Sequence, residues 1–313
     1  HFNAMATEET KEAMRISSLQ ANQINNLNKA GHTEIAKKYK NSNIIVSSGS
    51  PDVFNNNPDV YKTFHLNEVN VFYSRFIKDK KCKYFTLDPY DTSDFITQQP
   101  VHLIKMWCDL LDLKYDNEQP EIFLSKAEID DCKKYYKFNQ PIFVIHPNGG
   151  SITQPYPYSW TRDLPECVVN EALKYMGQTH KCLHIKSPNQ INYEGCIPIE
   201  SPWRSIAILL QMSDKRLLID SFSQHLAKAL NLKSTVCWIT TKPEVFGYDF
   251  HDNILANKFT NPPNYDSCNI MPISLSQDVH SCAYNNLEEI FDINKIIDSL
   301  QKSYFVGLSS SNL

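Results

Sequence analysis

Leu218-Ile219-Asp220-Ser221-Phe222-Ser223-Gln224-His225-Leu226-Ala227-Lys228-Ala229-Leu230 runs from an apolar stretch through a polar step into apolar positions at helical spacing. It reads as a buried strand, the loop at its C-terminal end, and a helix beginning near Ser223. The same grammar extends to both sides. Upstream, Ile142–Ile145 is a short apolar run between Pro141 and His146-Pro147-Asn148-Gly149-Gly150-Ser151. A helix follows, with Asp163 as the expected cap, Pro165 in the first turn and Glu166 completing a D-x-x-E pattern. Strands are predicted over Lys181–Lys186, Arg216–Ile219 and Ser234–Thr240, with a further helix opened by Ser201-Pro202. Strands alternating with helices at these intervals give βαβ units and a parallel sheet.

The N-terminal half is less regular. Strands are expected at Ile44–Ser48, Lys62–Leu66 and Lys83–Leu87, and helices around Glu34–Tyr39, over Val101–Leu113, and from Ser125. Ser125 and Glu128 form a capping box. A final helix, about Leu287–Ser303, carries a wide apolar face that must bury against one or both halves. The expected division is residues 15–137 and 138–313, with a polar connection at Tyr115–Gln119 or Phe138–Pro141.

Composition narrows the chemistry. Lys and Arg number 31 against 35 Asp and Glu, a net charge of −4, which argues against a broad electrostatic footprint for nucleic acid or anionic membrane. Only eight glycines occur in 313 residues, and they allow neither a G-x-G-x-x-G nor a P-loop fingerprint. That counts against a nicotinamide-dependent oxidoreductase. Nine cysteines without a C-x-x-C read as free thiols. His180, Cys182 and His184 share one strand face, a spacing compatible with zinc, although buried neutral histidines and a thiol are ordinary in an interior strand. Without an uncharged run long enough to span a bilayer or an N-terminal basic-then-apolar signal, a soluble, cytoplasmic protein is expected.

In parallel α/β sheets, ligands meet the C-terminal ends of strands, where helix N-termini also point. Three such ends stand out: His146–Ser151, with the paired Gly149-Gly150; Asp220–His225, a phosphate site or plain capping by Asp220 or Ser221; and the polar loop Thr240–Tyr248. The glycines serve either a close backbone approach or a tight turn.

Taken in order, the His-Pro loop, the Asp-Ser-x-x-x-His-Leu-Ala-x-Ala-Leu stretch at 220–230, the strand Ser234–Trp238, and Thr241-Lys242-Pro243 with Gly247 resemble glycosyltransferase family 9, the ADP-heptose:lipopolysaccharide heptosyltransferases and their relatives. The resemblance implies a GT-B fold: two Rossmann-like doubly wound α/β domains facing a cleft. The C-terminal one would take the nucleotide diphosphate sugar, the N-terminal one a glycan or glycolipid acceptor. It implies an inverting transfer by direct displacement. Asp220 would face the donor sugar, with Ser221, Ser223 and His225 beside the diphosphate. His146, Asn148, Gly149, Gly150 and Ser151 would line the site, and Thr241, Lys242 and Glu244 would sit near the nucleotide.

No D-x-D occurs, so a carboxylate pair holding a metal on the diphosphate is not expected, and neither is any other cofactor. Partners beyond donor and acceptor are not expected either: no nucleic acid, and at most peripheral membrane contact. Three departures from the family stand out. Phe222 replaces a usual glycine, and Thr161-Arg162 follow Trp160 where a basic residue usually precedes it. The N-terminal Gly-Asp turn that supplies the base is missing, with Gln20-Ala21 in its place and Gly31-His32 at the wrong spacing. His32, Asp52, Asp88 and Asp91 are the candidate bases. A member that binds nucleotide, sugar or a protein without transferring is the alternative.

Overall fold

The computed structural model describes residues 2–7, 13–14, 38, 42–97, 99–149, 161–257 and 284–302. The predicted helix around Glu34–Tyr39, His32, Gln20-Ala21, Gly150, Ser151 and the aromatic run Tyr156–Trp160 lie outside them, apart from Lys38. The chain divides into two compact units, His1–Tyr135 with Glu244–Gly247, and Tyr136–Pro243 with Tyr248–Leu313. None of the described helices is long and apolar enough to cross a membrane.

In the first unit β1 (Phe2–Thr7), β2 (Ala13–Met14), β3 (Asn43–Ser48), β4 (Lys62–His65) and β5 (Cys82–Leu87) form a mixed sheet. β3 pairs in parallel with β2 and β4, and β1 lies antiparallel between β3 and β5. The β1 strand is an addition to the sequence reading, which placed no strand ahead of residue 44. Ile45, Phe64 and Phe72 form the apolar centre, with the Phe64 ring edge-on to Phe72 and Phe76 at 5.5 and 5.4 Å. Phe72 ends the short helix α1 (Val69–Phe72), and α2 (Ser93–Ile96) is capped by the Thr92 hydroxyl. α3 (Leu103–Leu110) buries Leu103, Ile104, Met106, Trp107 and Cys108. His102 caps it: Nδ1 accepts from the Ile104 N–H at 3.1 Å, which leaves Nε2 to donate to the Gly247 carbonyl at 2.7 Å. α4 (Lys126–Tyr135) opens with the expected capping box, Glu128 N–H to Ser125 Oγ at 3.3 Å and Ser125 N–H to Glu128 Oε2 at 2.8 Å.

In the second unit β6 (Ile142–Ile145), β7 (Lys181–Ile185), β8 (Cys196–Ile199), β9 (Lys215–Ile219), β10 (Thr235–Trp238) and β11 (Asp252–Leu255) form one sheet, ordered β11-β10-β9-β6-β7-β8. Every neighbouring pair is parallel. The helices α5 (Glu166–Met176), α6 (Trp203–Met212) and α7 (Phe222–Ala229) connect its strands, α8 (Pro243–Phe246), whose residues from Glu244 on count with the first unit, lies in the chain between β10 and β11, and α9 (Ile293–Gln301) follows the last strand. β8, β11 and α8 were not anticipated from the sequence. β6 and β10 are buried at every position, as strands covered on both faces must be.

One face of this sheet carries Phe143, Ile145, Cys182, Leu217, Ile219 and Cys237 beneath Val168, Val169, Ala172 and Leu173 of α5 and Ile296 and Leu300 of α9. The final apolar segment therefore buries within the second unit, and it is not one helix. A 3-10 turn at Leu287–Glu289 precedes α9, which starts where Asp292 accepts from the Asn294 N–H. Ser299 on α9 reaches Thr235 at 2.7 Å and Asp252 at 3.0 Å, tying the helix to β10 and β11. Gly195 has φ of +78° in the turn entering β8, a conformation that favours glycine.

Arg216 lies inside the sheet, 1% exposed. Its guanidinium donates to the Leu210 and Ser213 carbonyls at the C-terminal end of α6, to Ser213 Oγ, to the Lys233 carbonyl and to Ser234 Oγ. A cation there is supported by the negative end of the helix dipole. Replacing it with alanine strands several buried acceptors at once. The expected cost of Arg216→Ala is about 3 kcal/mol or more, read from the urea midpoint.

Candidate functional site

The chain lays β6, β7 and β8 outward in one direction, then returns to place β9 beside β6 and continues the other way. This 3-2-1-4-5-6 order leaves a crevice at the C-terminal ends of β6 and β9, where the connections diverge. The loops predicted from sequence at residues 146 and 220 meet there. The His146 N–H donates to the Leu217 carbonyl at 3.0 Å, extending the ladder one step past β6. On the side chain, His146 Nδ1 lies 2.7 Å from Ser223 Oγ in the first turn of α7, and the ring sits edge-on to Phe222 at 5.0 Å. Ser223 is fully buried and Ser221 occupies the N-cap position, without a side-chain capping bond. Capping, the plainer expectation for this loop, is thus not what the Ser221 hydroxyl does.

Asn148 is 3% exposed, and its Oδ1 has no hydrogen-bond partner among the described residues. Buried acceptors of this kind call for a partner. The N–H of Gly149 donates to Asp163 Oδ1 at 2.8 Å. This corrects the expected role of Asp163. Pro165 is the N-cap residue of α5, without a side-chain capping bond, and the Asp163 carboxylate pins the 146–149 loop instead. A Cβ at Gly149 would meet Ile219 Cδ1 at 3.5 Å and Arg162 Cζ at 3.6 Å, both ordinary contacts. Packing does not demand glycine there; its absence of side chain leaves the Arg162 guanidinium open.

In the sequence Arg162 follows Trp160, on the other side from the basic residue usual in the resembled family. In the structure its positive charge acts on both His146 and Asp220. Asp220 is partly exposed at the end of β9. Desolvation raises its carboxyl above the ordinary aspartate value, while Arg162 and the Thr241 hydroxyl pull it back. Arg162, Asp220 and the start of α7 are the charged and polar elements of the crevice.

The other candidates are placed as follows. His225 faces the interior of the second unit, with Nδ1 2.9 Å from the Tyr248 hydroxyl. Thr241 is partly buried and Lys242 exposed in the loop after β10, whose Thr240 holds the Thr161 carbonyl through its N–H and its hydroxyl. Glu244 is exposed and belongs to the first unit. There too, Asp52 is in the 3-10 turn after β3, and Asp88 accepts from the Tyr90 N–H at 3.0 Å to cap the turn that contains Asp91. Among the described residues, no group of three His, Cys, Asp or Glu could hold a metal ion. His180 Nδ1 lies 2.7 Å from the Thr179 hydroxyl, and His184 stacks edge-on to Tyr193 at 5.0 Å.

No protein-family model matches the chain, and no curated protein matches it. Solved structures do. The glycosyl transferase family 9 protein of Veillonella parvula superposes with a TM-score of 0.63 at 11% identity, covering 94% of this chain and 97% of that one. Heptosyltransferase TibC, in complex with ADP-D-beta-D-heptose, gives 0.57 at 11% identity over 94% of this chain and 78% of that one. ADP-heptose lps heptosyltransferase II of E. coli gives 0.54 at 11% identity over 94% and 97%. The chain therefore has the fold of these glycosyltransferases, the GT-B fold.

Burial holds His146 near 3, His184 near 4 and His251 near 3, all far below the ordinary 6.5. Folded, the three stay neutral; unfolded, they take up protons as the pH falls through 6.5. Their contribution is complete above 6.5 and is lost on acidification toward those folded values. Each costs up to about 1.4 kcal/mol per pH unit in that window. The urea midpoint is expected to fall steadily from pH 6.5 to about 4, and less steeply in His146→Gln.

Proposed function

We propose that the chain is a family 9-type glycosyltransferase, which takes a nucleotide diphosphate sugar as donor and transfers the sugar to a glycan or glycolipid hydroxyl with inversion. The observation that carries this reading is the meeting of Arg162, Asp220 and the start of α7 at the switch-point crevice of a Rossmann-ordered sheet. A departing diphosphate needs positive potential, which the helix N-terminus and Arg162 supply without a metal. His146 is neutral in this setting and donates or accepts as the ligand requires. Asn148 Oδ1 supplies an acceptor for a donor hydroxyl or an amine. Asp220 would lie against the donor sugar. The candidate bases for the acceptor hydroxyl are His32, Asp52 after β3, and Asp88 and Asp91 after β5.

Binding without transfer is the second reading. Phe222 favours it, because its ring packs against His146 where the resembled family has bare backbone.

Calorimetric titration with ADP-, UDP-, GDP- and CMP-sugars, followed by donor hydrolysis and transfer assays, separates the readings. Binding of one nucleotide class with turnover is expected. Arg162→Ala should weaken nucleotide affinity by about 10-fold or more, the worth of one charged hydrogen bond. Asp220→Asn should keep most of that affinity and lose transfer. Gly149→Ala should leave the urea midpoint nearly unchanged, given its ordinary contacts, and weaken binding by crowding Arg162. Absence of binding to every donor would overturn the proposal.

A further inference from the structure

Cys182 on β7 and Cys196 on β8 are register partners on neighbouring parallel strands. In-register partners stand about 4.8 Å apart at Cα and project from the same face, within the range a disulfide spans. The two thiols act on each other's ionisation, and the Cys182 S–H donates to the His180 carbonyl at 3.8 Å. Cys182 is 3% exposed and packs under α5, whereas Cys196 is partly exposed at the edge of the sheet. Both are reduced in this structure.

We propose that Cys182 and Cys196 are a dithiol site that hydrogen peroxide converts to a reversible intrachain disulfide. Cys182 is the attacking sulfur. The neighbouring Cys196 thiol draws its thiol below the ordinary cysteine value, with help from the Lys181 ammonium, and burial opposes them; the same pairing raises Cys196. The Cys182 thiolate attacks one peroxide oxygen, the O–O bond breaks, and the leaving oxygen departs with the thiol proton as water. Cys182 is left as a sulfenic acid. The Cys196 sulfur then displaces its hydroxyl, which takes the Cys196 proton and leaves as a second water. Two thiols lose two electrons, and one peroxide is reduced to two waters. The product staples the edge strand β8 to β7, the described strand it pairs with.

Trypsin separates the two sulfurs, into Cys182–Lys186 and Ser187–Arg204. After hydrogen peroxide, non-reducing peptide mapping of the full chain should show these two peptides joined, lighter by two hydrogens than their sum and released by dithiothreitol. In Cys196→Ser the sulfenic acid on Cys182 should persist and be trapped by dimedone. Both peptides remaining fully alkylatable after peroxide would overturn the proposal. So would oxidation that joins Cys182 to Cys167, the partly buried thiol on α5.

Discussion

A parallel sheet has every strand ending at the same side, so the reversal of strand order between β6 and β9 decides where its connections part. Connections leaving in opposite directions diverge at that point, which is where ligands of such sheets are met. The ladder holds right up to its lip, with the His146 N–H still bonded to the Leu217 carbonyl. Beyond it, the 146–149 loop is held by the Leu164 N–H on the Pro147 carbonyl and by the Asp163 carboxylate on the Gly149 N–H. Arg162 is the residue immediately before that carboxylate, so the contact that anchors the loop also positions the cation beside Asp220.

The interior tolerates polar groups where geometry satisfies them. Arg216 is surrounded by acceptors at the end of α6, and His146, His184 and His251 stay neutral because ionising them inside the sheet costs more than their neighbours return. The crevice differs from that interior. Asn148 keeps an acceptor without a partner among the described residues, and Arg162 and Asp220 act on each other without an ion-pair contact among those residues.

Elements formed by strong local patterns were legible in the sequence. β6, β9, α7 and β7 begin and end within about two residues of expectation, because a strand covered on both faces must be an unbroken apolar run. The Ser125–Glu128 capping box formed as written, since all its bonds lie within one turn. β8 escaped notice because Pro198 interrupts it and only its last residue is buried, and β11 because Asp252 and Asn253 open it with polar side chains. Asp163 reads as a helix cap locally, and only a residue 14 positions upstream diverts it.

The sequence by itself determined the alternation of strand and helix in the second half, and which loops follow strand ends, because apolar periodicity is a local record of burial. Only the tertiary structure decided that the loop at 146 would stand beside the loop at 220, with Arg162 between them, and that Cys182 would face Cys196. Strand pairing is a choice among distant segments of similar apolar character. It is settled by which backbone ladders and helix faces can close together, and periodicity carries no trace of that choice.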